Sequence, residues 1–362
     1  MSHQIRSIAI NTGGGDAPGL NAVIRAAVLA ADELGWEVYG IRNGYGGLFE
    51  DGGVIRLTRS SVRGITHLGG TILGTTNRGN PLSWPVTQPD GTIEHVDRSD
   101  EVISELERRR IDALVAIGGD GSLAIANQLA DRGLKIVGVP KTIDNDLEFT
   151  TLTFGFLTAV ETATDAIDRL HSTAEAHQRV MVVEVMGRHA GWISLFAGLA
   201  GTADVILLPE IPYSLDRICE KVESRYRGDT GFAIVVAAEG AYPIGGEPVY
   251  KQAAAGSMRL GGIAERLAGE INERTGRDTR SLVLGHLQRG GPPISYDRLL
   301  SLRFGAAAVQ LLNDNCFGCM VALDPPNVMA VPLAEAIRRT KVVPLGGDVV
   351  KTARSLGICL GD

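Results

Sequence analysis

The sequence has no long apolar run. No segment reaches the ~18 apolar residues of a membrane span, and the opening MSHQIRSIAI is too short in apolar residues for a secretory signal. The chain is therefore expected to be soluble and cytoplasmic, with no membrane partner. Positive charge is also in deficit: 35 Lys and Arg stand against 42 Asp and Glu, a net charge of −7. That argues against the basic face by which proteins hold nucleic acid, though local arginines can still bind small anions. Cysteine is scarce, four in 362 residues, as suits a reducing compartment. Cys316 and Cys319 form a single C-x2-C in NCFGC. A zinc site takes about four ligands and no second pair is present, so the two are read as plain thiols. Short repeats, low-complexity tracts and polar linkers are missing as well.

What is present is an ordinary globular composition, 44% hydrophobic and 21% charged, enough for a sizeable core. The length suggests two domains or one large one. Glycine, at 46 residues, clusters directly after apolar runs. The runs with their turns are IRSIAINTGGGDAPG, DALVAIGGDGS, LKIVGVPKTIDND, RVMVVEVMGRHAG, GFAIVVAAEGA and RSLVLGHLQRGG. Each is rich in Val, Ile or Leu without polar alternation, the pattern of a strand buried on both faces. Helical spacing fills 19–34, 99–110, 122–132, 156–173 and 298–312. The alternation gives an α/β chain with two doubly wound, mostly parallel-sheet, Rossmann-like domains. Their boundary is placed near 150, after NDLEFTT. The first domain would be 1–150, completed by about 270–315, and the second 151–270, completed by about 316–362. Residues 244–257 and 289–296 read as loops, and RRR at 108–110 as a helix end. The segment 80–97 and the tail from 314 onward carry no chemical motif. In open α/β sheets ligands bind beyond the carboxyl ends of strands, so the six turns should converge on one cleft.

The contents of those turns suggest the chemistry. TGGGDAPG (12–19) follows the first strand and opens a helix, where glycine amides and the helix N-terminus suit a phosphate. Its spacing matches neither the dinucleotide nor the P-loop pattern, and without a ligand it would be only a tight turn. IGGDGS (117–122) repeats the device with Asp120 inside it. That carboxylate could hold Mg²⁺ against phosphates, or cap a helix starting near Ser122. PKTIDND (140–146) carries Lys141, Asp144 and Asp146. An isolated Asp, with a pKa of about 3.9, is ionised at neutral pH. One carboxylate could take a hydroxyl proton while the other orients or binds metal; the alternative is a pair of turn-capping residues. Arg179, Arg188, Arg280 and Arg289 stand at strand ends with His286, and arginine forks match phosphate oxygens. Glu239, also at a strand end, could accept from sugar hydroxyls. His171 and His177 are assigned to a helix and its exit. Together these residues are what phosphoryl transfer to a hydroxyl on a phosphorylated acceptor requires.

In these motifs and their order the sequence resembles the phosphofructokinase family, and within it the bacterial group that uses ATP or pyrophosphate. The likeness runs from Ile8 to about Ala308 through GGDAPGLNAVIR, GGTILGT, IGGDGS, PKTIDND, AIDRL, HQRVMVVEVMGRHAGW, AEG, TRSLVLGHLQRGG and YDR. The resemblance implies Mg²⁺-dependent transfer from ATP to the 1-hydroxyl of fructose 6-phosphate. It implies Asp144 as the base and Asp120 as the Mg²⁺ residue, with Thr142, Asp146 and Arg188 supporting the phosphoryl in transit. Gly14, Gly15, Arg78, Gly119, Gly121, Ser122 and Lys141 would line the donor site. Met186, Gly187, Arg188, Glu239, His286 and Arg289 would bind the sugar phosphate. Arg179 and Arg280 are similar to residues that reach in from a neighbouring subunit, which implies a homotetramer or homodimer. Gly121 is the residue of ATP users, and Lys141 that of pyrophosphate users. Leu29 stands where nucleotide-regulated members carry a second effector arginine, which puts their regulation in doubt. The same inventory would serve a phosphotransferase similar to NAD kinases, or a non-catalytic sugar-phosphate-binding paralogue. A dehydrogenase is excluded by the glycine spacing and the missing ribose acid.

Overall fold

The computed structural model describes residues 5–227, 231–252 and 258–362. The first four residues of the N-terminal stretch and 253–257 of the expected loop 244–257 lie outside the described residues. The chain begins β1 (Ser7–Thr12), α1 (Leu20–Glu33), β2 (Glu37–Ile41), β3 (Val54–Leu57), the hairpin β4 (Trp84–Thr87) and β5 (Ile93–Val96), α2 (Ser99–Arg108), β6 (Ala113–Gly118), α3 (Asp120–Asp131) and β7 (Ile136–Pro140). It continues with α4 (Phe156–His177), β8 (Val180–Val185), α5 (Trp192–Ala200), β9 (Val205–Leu207), α6 (Leu215–Tyr226) and β10 (Ala233–Ala238). Next come the hairpin β11 (Tyr250–Gln252) and β12 (Met258–Leu260), α7 (Ile263–Thr275) and β13 (Thr279–Val283). It ends with α8 (Ser295–Asn313), β14 (Cys319–Asp324), β15 (Asn327–Pro332), α9 (Leu333–Ala336) and α10 (Asp348–Ser355). No helix among the described residues is long and apolar enough to cross a membrane.

Two compact units result. The first contains the chain up to Thr142, Leu147–Gly155 and Arg289–Arg339; the second contains Ile143–Asp146, Phe156–Gln288 and Thr340–Asp362. The first unit is built on a seven-stranded sheet of order β15-β14-β7-β6-β1-β2-β3. Its five inner strands run parallel and its two edge strands antiparallel. Alternate residues of one strand feed two different cores, which is why the runs lack polar alternation. Ile8, Ile10, Val115 and Ile117 pack with Val23 and Ile24 of α1 and Phe304 of α8. Ala9, Leu114 and Ala116 pack with Leu123 and Ala126 of α3 and Leu106 of α2. The second unit holds an all-parallel sheet of order β13-β8-β10-β9. One face of it is covered by Ile218 and Val222 of α6 and Ile263 and Leu267 of α7.

Two segments sit opposite to the sequence reading. Residues 316–339, expected to complete the second domain, join the first unit, because Cys319 and Met320 of β14 pair with Val137 and Gly138 of β7. Residues 270–288, expected with the first, lie in the second unit, because β13 registers along β8 from Thr279↔Val180 to Val283↔Glu184. Part of the expected loop 244–257 is strand: Tyr250–Gln252 pairs with Met258–Leu260 in an antiparallel hairpin. Val249 and Tyr250 favour extended backbone more than the surrounding Gly and Pro suggested.

Helices α1 and α8 approach so closely that a Cβ placed on Gly305 would lie 2.4 Å from the carbonyl oxygen of Val23. Gly305→Ala gains about 1 kcal/mol in helix propensity but incurs an overpacking cost of about 1–3 kcal/mol. It is expected to lower stability in urea unfolding; equal or greater stability would show that the two helices part without cost.

Candidate active site

The first unit brings the turns after three strands together. The loop after β1 is held on both sides, with the Gly13 amide donating to the Ile117 carbonyl at 3.0 Å and the Gly14 amide to the Thr76 carbonyl at 3.0 Å. Thr75 Oγ1 donates back to the Gly14 carbonyl at 2.6 Å. Gly14 adopts φ +78°, and a Cβ at Gly13 would lie 2.7 Å from Ser122 Oγ. Side chains in this loop would close the space that its amides can offer to an anion. After β6, Gly119 serves as the N-cap of α3 without a side-chain capping bond, and Asp120 is the first helical residue. Asp120 thus stands at the positive end of α3 rather than capping it. It is exposed, and a Cβ on the neighbouring Gly121 would meet nothing within 4 Å. After β7, the Lys141 amide donates to the Gly118 carbonyl at 2.8 Å, and its buried ammonium donates to the Gly15 carbonyl.

The predicted donor residues Gly14, Gly15, Gly119, Gly121, Ser122 and Lys141 therefore fall in one region, with Asp120 at its edge. Arg78 is exposed two residues beyond Thr76, to whose Oγ1 its amide donates at 2.9 Å. Arg289, grouped with the sugar-phosphate residues in the sequence reading, belongs to this unit and lies beside the same loop. Its Nη1 donates to the Asp16 carbonyl at 3.1 Å, and its guanidinium would be 3.2 Å from a Cβ on Gly15. No cluster of three or more His, Cys, Asp or Glu capable of holding a metal occurs among the described residues. An exposed carboxylate beside these glycine turns nevertheless fits Mg²⁺, which commonly takes one or two protein oxygens and completes its shell with phosphates and water.

The second unit gathers the acids. Asp144 and Asp146 are buried, 3% and 7% exposed, around Asn145 in the left-handed region at φ +53°. Arg188 Nη1 stands 4.0 Å from Asp146 Oδ2. The turns after the adjacent strands β8 and β10 are laced together: the Arg188 amide donates to Glu239 Oε1 at 3.0 Å, and the Glu239 amide to the Val185 carbonyl at 2.9 Å. A Cβ on Gly187, at φ +143°, would lie 2.6 Å from the Ala190 carbonyl oxygen, so this turn tolerates only glycine. Burial pushes the Glu239 carboxyl up to about 7; the charges of Asp144 and Glu184 add to this, against the amides of Arg188 and Gly187. Met186 follows β8, and His286 lies in the 3₁₀ turn Gly285–Arg289 after β13.

Arg179 and Arg280 are not brought to this group. They sit at the opposite, amino ends of β8 and β13, where both bind Asp278: Arg179 Nε at 2.5 Å from one oxygen, and Arg280 Nη2 at 3.1 Å from the other. Six strand residues at roughly 3.3 Å each put about 20 Å between the two ends of that sheet. His171 is structural, with Nε2 2.8 Å from the Gly201 carbonyl oxygen and its ring edge-on to Phe232. His177 closes the last turn of α4, inside the helix rather than at its exit. The sequence reading missed Trp192, Glu210 and Lys341, which are tied to the turns beside Arg188 and Asp146. Only Trp192 fell inside a motif, and the tail that carries Lys341 holds no glycine turn after a strand to draw attention to it.

The phosphofructokinase family pattern matches residues 7–312. This chain belongs to the phosphofructokinase family. It is 51% identical over 362 residues to the ATP-dependent 6-phosphofructokinase of Chloroflexus aggregans, covering 100% of this chain and 99% of the relative. It is 50% identical over 342 residues to the pyrophosphate–fructose 6-phosphate 1-phosphotransferase of Amycolatopsis methanolica, covering 93% of this chain and 96% of the relative. Among solved structures, the Pichia pastoris phosphofructokinase in the T-state superposes with a TM-score of 0.79 at 31% identity. That match covers 93% of this chain and 36% of the Pichia chain, so this phosphofructokinase spans about a third of the yeast protein's length.

The raised Glu239 pKa gives the phosphofructokinase a testable pH dependence. The carboxyl holds its proton more tightly folded, at about 7, than unfolded, at 4.5. Its contribution to stability is therefore full below pH 4.5 and lost as pH rises through 7. At 1.36 kcal/mol per unit the loss is at most about 3 kcal/mol. Wild-type stability, measured against Glu239→Gln, is expected to decline between about pH 4.5 and 7. A difference independent of pH would show that the ionised carboxylate is accommodated without cost.

Proposed function

We propose that this chain is an ATP-dependent 6-phosphofructokinase, transferring the terminal phosphoryl group of ATP to the 1-hydroxyl of fructose 6-phosphate and yielding fructose 1,6-bisphosphate and ADP. The observation that carries this reading is the single stretch Pro140–Asp146. Its Lys141 ammonium is folded onto the glycine loop of the first unit, and three residues later Asp144 stands where Glu239 feels its charge, close to Arg188 through Asp146. One short peptide thus supplies both a phosphate-side cation and a sugar-side base.

In the proposed mechanism Asp144 accepts the proton of the 1-hydroxyl as that oxygen attacks the terminal phosphorus, and the bond from that phosphorus to the bridging oxygen breaks, releasing ADP. The amides of Gly15, Gly119 and Gly121 hold the donor phosphates, in the space that Gly14 leaves open, with Ser122, Lys141 and Arg78. Mg²⁺, held by Asp120 and phosphate oxygens, would supply charge neutralisation. Thr142, Asp146 and Arg188 steady the phosphoryl group in transit, while Met186, Gly187, Glu239 and His286 bind the sugar phosphate; Arg289, beside Gly15, serves the phosphate side. Arg179 and Arg280, already paired on Asp278, are assigned to the sugar-phosphate site of a second copy. The edge strand β13 exposes Leu282 and Val283 (37% and 44%), an apolar strip suited to that copy in a homodimer or homotetramer. A cytoplasmic setting accords with four free cysteines.

Pyrophosphate is the second reading, favoured by Lys141 and by the likeness to the Amycolatopsis enzyme. The open space at Gly121 supports ATP, because the nucleotide needs room beyond the phosphates that pyrophosphate does not. With Mg²⁺ and fructose 6-phosphate, ATP is expected to give the bisphosphate at a higher kcat/KM than pyrophosphate. No bisphosphate from either donor would overturn the activity; a preference for pyrophosphate would overturn the donor. Gly121→Asp, which adds bulk and negative charge in that space, is expected to raise the ATP KM at least about 10-fold, worth about 1.4 kcal/mol. An unchanged ATP KM would show the space is not used. Asp144→Asn is expected to keep sugar-phosphate binding in calorimetry while kcat falls by about 10²–10⁴. Retained turnover would remove Asp144 from its role.

A further inference from the structure

We propose that Lys341, from the C-terminal segment, is a positioning residue for the pair of aspartates at 144 and 146. This rests on the reading given under the proposed function. Its main chain is fastened first: the Lys341 amide donates to the Asp146 carbonyl at 2.8 Å, and its own carbonyl accepts from Trp192 Nε1 at 3.0 Å. Two residues on, the Val343 amide donates to Glu210 Oε1 at 2.8 Å. The same carboxylate accepts from the Gly191 amide at 3.0 Å, three residues after Arg188. The tail is thus stitched to the aspartate turn on one side and to the arginine turn on the other, all within the second unit.

The side chain then does something the backbone bonds do not. Lys341 Nζ donates to Asn145 Oδ1 at 3.0 Å and lies 5.3 Å from the centre of the Trp192 ring. Asn145 holds its left-handed conformation between the two acids, so fixing its amide fixes the directions in which Asp144 and Asp146 leave the chain. The ammonium also brings a positive charge to the residue that separates two buried carboxylates. Around that pair the second unit presents Arg188 near Asp146, Glu239 within reach of the Asp144 charge, and Glu184 behind Glu239. Two of these three neighbours are acids. Lys341 offsets them and favours the ionised Asp144 that a base must be.

Lys341→Met keeps the backbone bonds and an unbranched stem against Trp192 and removes only the charge and its donor. It is expected to lower kcat about 10–100-fold with the fructose 6-phosphate KM within about threefold of wild type. The acid limb of the kcat profile should move up by about one pH unit. Lys341→Arg, restoring a cation, should recover more than half of that displacement. A merely structural role would leave the acid limb in place. The proposal is overturned if Lys341→Met keeps the wild-type kcat and acid limb, or if kcat falls without movement of the limb. The wild-type assay separates the two levels: no turnover by the unaltered protein removes the kinase reading itself, whereas an active wild type with an indifferent Lys341 removes only this one.

Discussion

A parallel strand buried on both faces can place polar chemistry only at its ends. In this protein that constraint arranges everything else. β1, β6 and β7 are lined on either side by separate apolar cores, so their polar groups are confined to the turns that follow them. β8 and β10, whose ends meet in register at Val185 and Ala238, do the same for Arg188 and Glu239. The turns are then fixed by hydrogen bonds between neighbouring strand ends, not by packing of their own. Loops so held offer preorganised amides and charges.

Burial also sets the electrostatic character of each half. The first unit exposes its carboxylate, Asp120, at a helix N-terminus, and buries a cation, Lys141. The second buries its carboxylates and leaves Arg188 in solvent. A buried ammonium on a glycine loop suits polyphosphate, whereas buried acids, with Glu239 held toward its neutral form by burial, suit hydroxyls. The division of labour proposed for the two units therefore follows from which sign of charge each has withdrawn from water.

Much of this is legible in the sequence alone. Val/Ile/Leu runs without alternation identified the buried parallel strands, and glycines directly after them identified the turns. The motifs therefore fell at strand ends as their spacing implied. What failed was long-range pairing. Nothing local in residues 316–339 says that Cys319 will lie beside Val137, because a parallel register depends on the partner strand and not on the strand's own composition. The position of Arg289 beside Gly15 was hidden for the same reason: one turn after β13 carries His286 and Arg289 to different units. Lys341 escaped notice because it acts through an amide, a carbonyl and a single ammonium in a stretch with no glycine turn after a strand.

The empty volume at Gly121 has an evolutionary consequence. A side chain there would displace no neighbour, so its replacement carries little penalty in folding stability. Lineages near a stability threshold rarely find changes of chemistry so lightly opposed. The start of α3 can thus change its charge without compensating changes in the core.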